Sequence, residues 1–269
     1  MDFATMMDLE PRGIDAWVGE GPRYPWGGLY GGQIVAQALQ AAALTVDPRF
    51  RPHSLHAYFI RRGDHSQPIR FEVDRVRDGG SFVTRAVVAR QSMGAILNMS
   101  ASFQVAEAAV EVQTVSLAPD LPRADALRSE GWGEIFDRRL APASVRGRVD
   151  GWLRALQPIG EDPVRQACAL AYLSDDLPTD AAISLHPEHV QSDSGDDFYS
   201  RFFSASLDHA VWFHRPFDAS RWLAQSFTCH GLMGSRGLTV GHVFTEDGAH
   251  VASVSQEVLV REIRPRGPR

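Results

Sequence analysis

The chain has 269 residues, enough for one large or two small domains, and its 44% apolar and 22% charged residues are an ordinary globular balance. All 27 basic residues are arginine, which excludes every mechanism that needs a lysine amine: Schiff bases, pyridoxal-phosphate anchoring and the lysine of a phosphate-binding P-loop. A formal net charge of −6 with no basic block argues against a nucleic-acid partner.

The first element in chain order is a helix. Residues 27–45 begin with glycines and continue as a proline-free run of good helix formers. Polar residues interrupt the run only at Gln33, Gln37 and Gln40, so this helix should be buried on most sides. Strands follow at Ser54–Arg61, at Ile69, Phe71 and Val73 by two-residue alternation, at Ser81–Arg90 after an Asp78-Gly79 turn, and at Ala95–Val105. From 107 to 131 the pattern fades, Pro119 and Pro122 interrupt it, and a linker with short helical pieces is expected. The order then recurs: a strand at Arg146–Arg154, an apolar helix at Pro163–Leu173, and strands at Ser206–Arg215, Trp222–Thr228, Gly237–Thr245 and Val251–Arg261, with a Glu246-Asp247-Gly248 turn.

The two halves also match in letters. Ser54-Leu55-His56-Ala57 resembles Ser206-Leu207-Asp208-His209-Ala210, and Ala101-Ser102-Phe103-Gln104 resembles Ala252-Ser253-Val254-Ser255-Gln256. The serine and the glutamine lie 50 residues apart in both halves, which argues for internal duplication. An apolar helix followed by an antiparallel meander needs a sheet curved around it. The expectation is an α+β double hotdog: an N-terminal repeat at 1–106, a linker at 107–131, and a C-terminal repeat at 132–269 carrying the catalytic residues.

Several motifs resemble the acyl-CoA thioesterase II family. In the first half they are Tyr30-Gly31-Gly32-Gln33, Pro52-His53-Ser54-Leu55-His56-Ala57-Tyr58-Phe59 and Arg77-Asp78-Gly79-Gly80-Ser81-Phe82. In the second half they are Ala171-Tyr172-Leu173-Ser174-Asp175, the run from Ala205 through Asp208-His209 to Trp212-Phe213-His214-Arg215-Pro216-Phe217, and Val251 to Glu257. The resemblance runs from about residue 20 to 262. It implies a double-hotdog fold, hydrolysis of fatty acyl-CoA to free acid and CoA without a cofactor or metal, and a water-holding aspartate, hydroxyl and glutamine. Carried over by motif, these are Asp175, Ser206 and Gln256. Some members of the family have threonine in place of Ser206; the hydroxyl is kept. The stretch Asp176–Ser204 resembles the family least and is expected to shape the acyl entrance.

The chemistry suits the three residues. Asp175 can accept a proton, and burial after an apolar helix would raise its pKa to a useful value. Ser206 can donate and accept, and Gln256 offers an amide donor and an acceptor. Gly31 and Gly32, with Arg236, are candidate substrate-binding residues, the glycines through backbone N–H groups near a helix start. In the first half Ser54 and Gln104 are the expected counterparts of Ser206 and Gln256, and the counterpart of Asp175 falls near Val46 or Asp47. That second site is expected to be degenerate and inactive.

Other features are weaker. Met233-Gly234-Ser235-Arg236-Gly237 lacks the first glycine of a Gly-x-Ser-x-Gly elbow. Pro187 between His186 and His189 disfavours a helical metal pair. Asp208 and His209 would be an acid–base pair in a hydratase, but adjacent strand residues face opposite ways. Arg61, Arg62, Arg215 and Arg236 could meet CoA phosphates. A non-catalytic acyl-CoA-binding or lipid-binding hotdog protein is the alternative to the enzyme.

Cys168 and Cys229 are too few for a disulfide framework, and the start of the chain lacks the pattern of a signal peptide. No apolar stretch reaches the length of a membrane span. The last residues, Arg264 to Arg269, are not a Ser-Lys-Leu address. A cytoplasmic homo-oligomer, dimer or tetramer, is the resulting expectation, because hotdog halves leave sheet edges to pair.

Overall fold

In the computed structural model, which describes residues 1–190 and 195–263, the first long helix, α1 (Gly31–Ala43), carries no charged side chain, and Gly32 through Ala42 are all buried. Its glutamines are buried with it. Gln37 Nε2 donates to the carbonyls of Met6 at 2.9 Å and Glu20 at 2.8 Å, so the N-terminal arm closes over the helix. The second long helix, α2 (Pro163–Leu173), starts where Asp162 accepts the Val164 N–H at 3.0 Å and Pro163 occupies the first turn. The two helices run antiparallel: Gly32 meets the segment after α2, and Gln40 Oε1 lies 3.8 Å from Cys168 Sγ.

One antiparallel sheet wraps this pair. Its strands are β1 (Glu10–Pro11), β2 (Ala16–Gly19), β3 (Phe50–Phe59), β4 (Ile69–Asp78), β5 (Phe82–Gln91), β6 (Gly94–Val105), β7 (Phe136–Leu140), β8 (Arg148–Ala155), β9 (Phe202–Ser206), β10 (Asp208–Phe213), β11 (Leu223–Met233), β12 (Arg236–Thr245) and β13 (His250–Glu262). The order is β1-β2-β4-β5-β6-β3-β10-β13-β12-β11-β8-β7, with β9 also on β13. Read outward from the central β3–β10 pair, the two sides match strand for strand. Each side is a meander flanking one helix, and the whole is an α+β double hotdog. The halves join where Ser54 to Tyr58 pair with Trp212 to Asp208.

The structure differs from the sequence reading in three places. The strand expected at Ser206–Arg215 is broken at Leu207, whose N–H bonds the Glu257 carbonyl at 2.8 Å and whose carbonyl receives the Phe59 N–H at 2.9 Å. β7, Phe-Asp-Arg-Arg-Leu, is an edge strand that lacks alternation because its charges are paired, Arg139 with Asp137 and Arg138 with Asp176 and Asp180. Asp176–Ser204 contributes three further helices, α3 (Leu177–Leu185), α4 (Pro187–Val190) and α5 (Gly195–Arg201). Residues 191–194 of that stretch, and 264–269 with the C-terminal address reading, lie outside the described residues.

The letter match between the halves is overturned at two positions. Along β6, Leu97, Met99, Ala101 and Phe103 face the core, so Ser102 and Gln104 face outward. Along β13, Gln256 is on the inner face with Val254 and Val258. Ser54 pairs with Ser102 and with Trp212 and is on the outer face, whereas Ser206 pairs with the inward-facing Val258. Ser54 and Gln104 are therefore not the counterparts of Ser206 and Gln256.

Candidate active site

The antiparallel helices bring the end of α2 to the start of α1. Asp175 follows the capping residue of α2 and is 4% exposed. Its Oδ2 accepts the Gly32 N–H at 2.7 Å, and its Oδ1 accepts the Ser206 hydroxyl at 3.1 Å. Ser206 closes β9 and receives Gln256 Nε2 from β13 at 2.8 Å. Gln256 Oε1 lies 2.6 Å from His209 Nδ1, and His209 Nε2 lies 3.0 Å from the Ser174 hydroxyl. Asp175, Ser206 and Gln256 thus come together from three separate elements.

The electrostatics of Asp175 follow from what surrounds it. Burial pushes its carboxyl up to about 7, although the Ser206 hydroxyl and the Gly32 N–H favour the ionised form; the nearby Asp176 raises it further. Among the described residues no cation pairs with it. Asp176, the next residue, takes the cation instead: Arg138 bonds it at 2.9 Å and Asp180 at 2.8 Å, and Trp132 Nε1 donates to Asp176 at 2.8 Å. Two adjacent buried carboxylates therefore have opposite surroundings, one ion-paired and one held by neutral donors.

The glycines are sites of close approach. A Cβ on Gly31 would lie 2.6 Å from Asp175 Oδ2 and 2.8 Å from Phe59 Cζ. One on Gly32 would lie 2.5 Å from the Tyr172 carbonyl and 2.5 Å from the Tyr30 ring. The Gly32 N–H is engaged by the carboxylate, so Gly32 holds Asp175 rather than presenting a free donor to a substrate.

Arg236 is not brought to the trio. It is opposite Leu259 on the outer face of the sheet, half exposed, and its Nε pairs with Glu257 at 2.8 Å. The other arginines considered are also engaged: Arg61 with the Ala95 carbonyl, Arg62 with the Trp26 carbonyl and Arg215 with Glu111. Asp208 accepts the Glu257 N–H at 2.6 Å, a strand-fixing contact. Sequence reasoning missed His209 and Ser174. The two-residue period already placed His209 on the face opposite Asp208, which was the available signal.

Residues 21–104 match the family model described as the acyl-CoA thioesterase N-terminal domain, and residues 112–260 match that of the acyl-CoA thioesterase C-terminal domain. The chain is 32% identical to mouse acyl-coenzyme A thioesterase 8, covering 96% of this chain and 88% of that one. It is 32% identical to acyl-CoA thioesterase 2 of Haemophilus influenzae, with 87% of each covered. The crystal structure of an acyl-CoA thioesterase II from Mycobacterium marinum superposes with a TM-score of 0.81 at 36% identity, covering 99% of both chains. A hot dog fold protein from Alicyclobacillus acidocaldarius, at 19% identity and a TM-score of 0.77, shares the fold.

Proposed function

Because the chain belongs to the acyl-CoA thioesterase II family and is a thioester hydrolase, we propose that it converts fatty acyl-CoA to free acid and CoA by direct attack of a water held by Asp175, Ser206 and Gln256. In this reading the water oxygen bonds to the thioester carbonyl carbon while Asp175 takes its proton. The tetrahedral intermediate collapses, the carbon–sulfur bond breaks, and CoA leaves as a thiolate that is then protonated. Ser206 is already committed to Asp175 as a donor and to Gln256 as an acceptor, which leaves it a free lone pair. Gln256 Nε2 keeps a second hydrogen for the water. The Gly31 N–H, in the first turn of α1, is the donor proposed for the oxyanion.

One observation carries the reading: a buried carboxylate with a pKa near 7, held only by neutral donors, is poised to work as a base at neutral pH. Its test is free-thiol release from acyl-CoAs of graded chain length, by wild type and by folded Asp175→Asn. Release by wild type with a loss of about a thousandfold in the variant supports the aspartate's role. Undiminished release by the variant rejects the site.

The same reading divides the chain into repeats at 1–106 and 132–269 with a linker at 107–131, the second repeat carrying Asp175, Ser206 and Gln256 and the first meeting them only through the backbone of Gly31 and Gly32. At the corresponding end of α1 the space is filled by Arg85, 1% exposed, whose Nε donates to Thr45 Oγ1 at 2.7 Å and Nη2 to the Thr45 carbonyl at 3.1 Å. Asp47 is exposed there and accepts the Arg49 N–H. No helix among the described residues is long and apolar enough to cross a membrane. Assembly as a homo-oligomer in the cytoplasm, with Cys168 and Cys229 as free buried thiols, completes the proposal.

A further inference from the structure

We propose that His209 is a positioning residue for the hydrolysis, holding the Gln256 side-chain amide in the one orientation that keeps the Ser206 hydroxyl aimed at Asp175. The inference rests on the function proposed above and adds a residue to it. An ionised Asp175 can only accept, so the Ser206 proton points to its Oδ1. The Ser206 oxygen must then accept from Gln256, which places Nε2 towards Ser206 and Oε1 towards His209. A carbonyl oxygen only accepts, so His209 carries its proton on Nδ1. His209 Nε2 is left as an acceptor, and it is filled by the Ser174 hydroxyl, which lies 3.0 Å from it and 3.5 Å from its other acceptor, the Ala171 carbonyl.

Every link in this relay is determined by the one before it. An amide can turn over about its last bond with little change of shape, and a turned Gln256 would present an acceptor to Ser206. The Ser206 proton would then be drawn away from Asp175. The 2.6 Å contact to His209 opposes that turn, because a turned amide would set Nε2 against the Nδ1–H. His209 is 0% exposed, so bulk water cannot take its place as the partner of Gln256 Oε1. Burial also holds the imidazole neutral, with its pKa lowered to about 4, as a single-proton donor requires.

The test has two parts. The first uses the wild-type protein and needs no turnover: nitrogen-15 NMR of the histidine rings at pH 7. His209 is expected as the neutral Nδ1–H tautomer; an Nε2–H tautomer or an imidazolium overturns the proposal. The second compares His209→Asn, which keeps an amide donor near the Nδ1 position, with His209→Leu, which has none. The leucine variant is expected to lose about 100-fold in kcat with KM unchanged, and the asparagine variant to recover most of that loss. Equal losses in the two variants at equal melting temperature, or a rise in KM with kcat kept, overturn the proposal. If the wild type released no thiol from acyl-CoA, the function would fail while the NMR result still decided the orientation of Gln256.

Discussion

Ser174 and Asp175 are neighbours in sequence, yet they stand at opposite ends of one chain of side-chain hydrogen bonds. It runs from Ser174 through His209, Gln256 and Ser206 to Asp175, and the peptide between the two ends closes it into a ring. The ring crosses the end of a helix and three strands, so its geometry depends on the packing of the whole C-terminal half. A ring of this kind moves as a unit, and changes within it should be non-additive.

Ser206 supplies a hydroxyl and little else. Ser206→Thr keeps it, and that variant should retain most of its turnover. Ser206→Ala leaves Gln256 Nε2 and Asp175 Oδ1 without their shared partner. Its kcat should fall about 100-fold in a steady-state thiol-release assay. Equal loss in both variants would show that the side chain acts through packing.

The pH dependence follows from Asp175. Water attack needs the ionised carboxylate, whose pKa burial has raised to about 7. Turnover should therefore be low at pH 5, rise through an apparent pKa near 7 and level off above it. His209, with its pKa near 4, remains neutral over this range and adds no second limb there. A profile already flat from pH 5 upward would mean that Asp175 is ionised throughout, as an exposed aspartate would be.

Gly31 and Gly80 provide a matched pair. A methyl on Gly31 would strike Asp175 Oδ2 and the Phe59 ring, whereas nothing lies within 4 Å of one on Gly80. Gly31→Ala should lower kcat tenfold or more, on the order of the cost of misplacing a catalytic group by a fraction of an ångström. Gly80→Ala should match wild type in turnover. Circular dichroism on both distinguishes a displaced carboxylate from a lost fold.

The first half should hold no active site of its own. Asp47→Asn changes an exposed turn residue and should leave kcat and KM unchanged. Loss of activity in that variant, with the melting temperature preserved, would mean that the N-terminal half holds a working site.

Much of the fold was legible because its signals are local. The apolar run from Pro163 to Leu173 marks α2, the alternation of Ile69, Phe71 and Val73 marks β4, and the three glutamines mark a helix covered on most sides. Elements fixed by long-range contacts were not legible. β7 is held by its neighbour rather than its own pattern, and the break at Leu207 reflects a hydrogen bond to β13. The pairing of Gln104 with Gln256 failed for a physical reason: a letter match tolerates one inserted residue, but a strand does not, since one residue reverses the face. Asp175, Ser206 and Gln256 came from family resemblance, as no spacing joins residues 175, 206 and 256. His209 lies inside the resembling run, but the resemblance gave it no role, and its part in the site became visible only through its contact with Gln256.

The central claim is that water, activated by Asp175, attacks the thioester directly. A single turnover in oxygen-18 water, with enzyme in excess over acyl-CoA, tests it. Direct attack predicts that the fatty acid from the first turnover carries one oxygen-18 atom and that Asp175 stays unlabelled. An unlabelled acid, with oxygen-18 later found in the peptide that contains Asp175, would show that the carboxylate itself had attacked the carbonyl and would contradict the account.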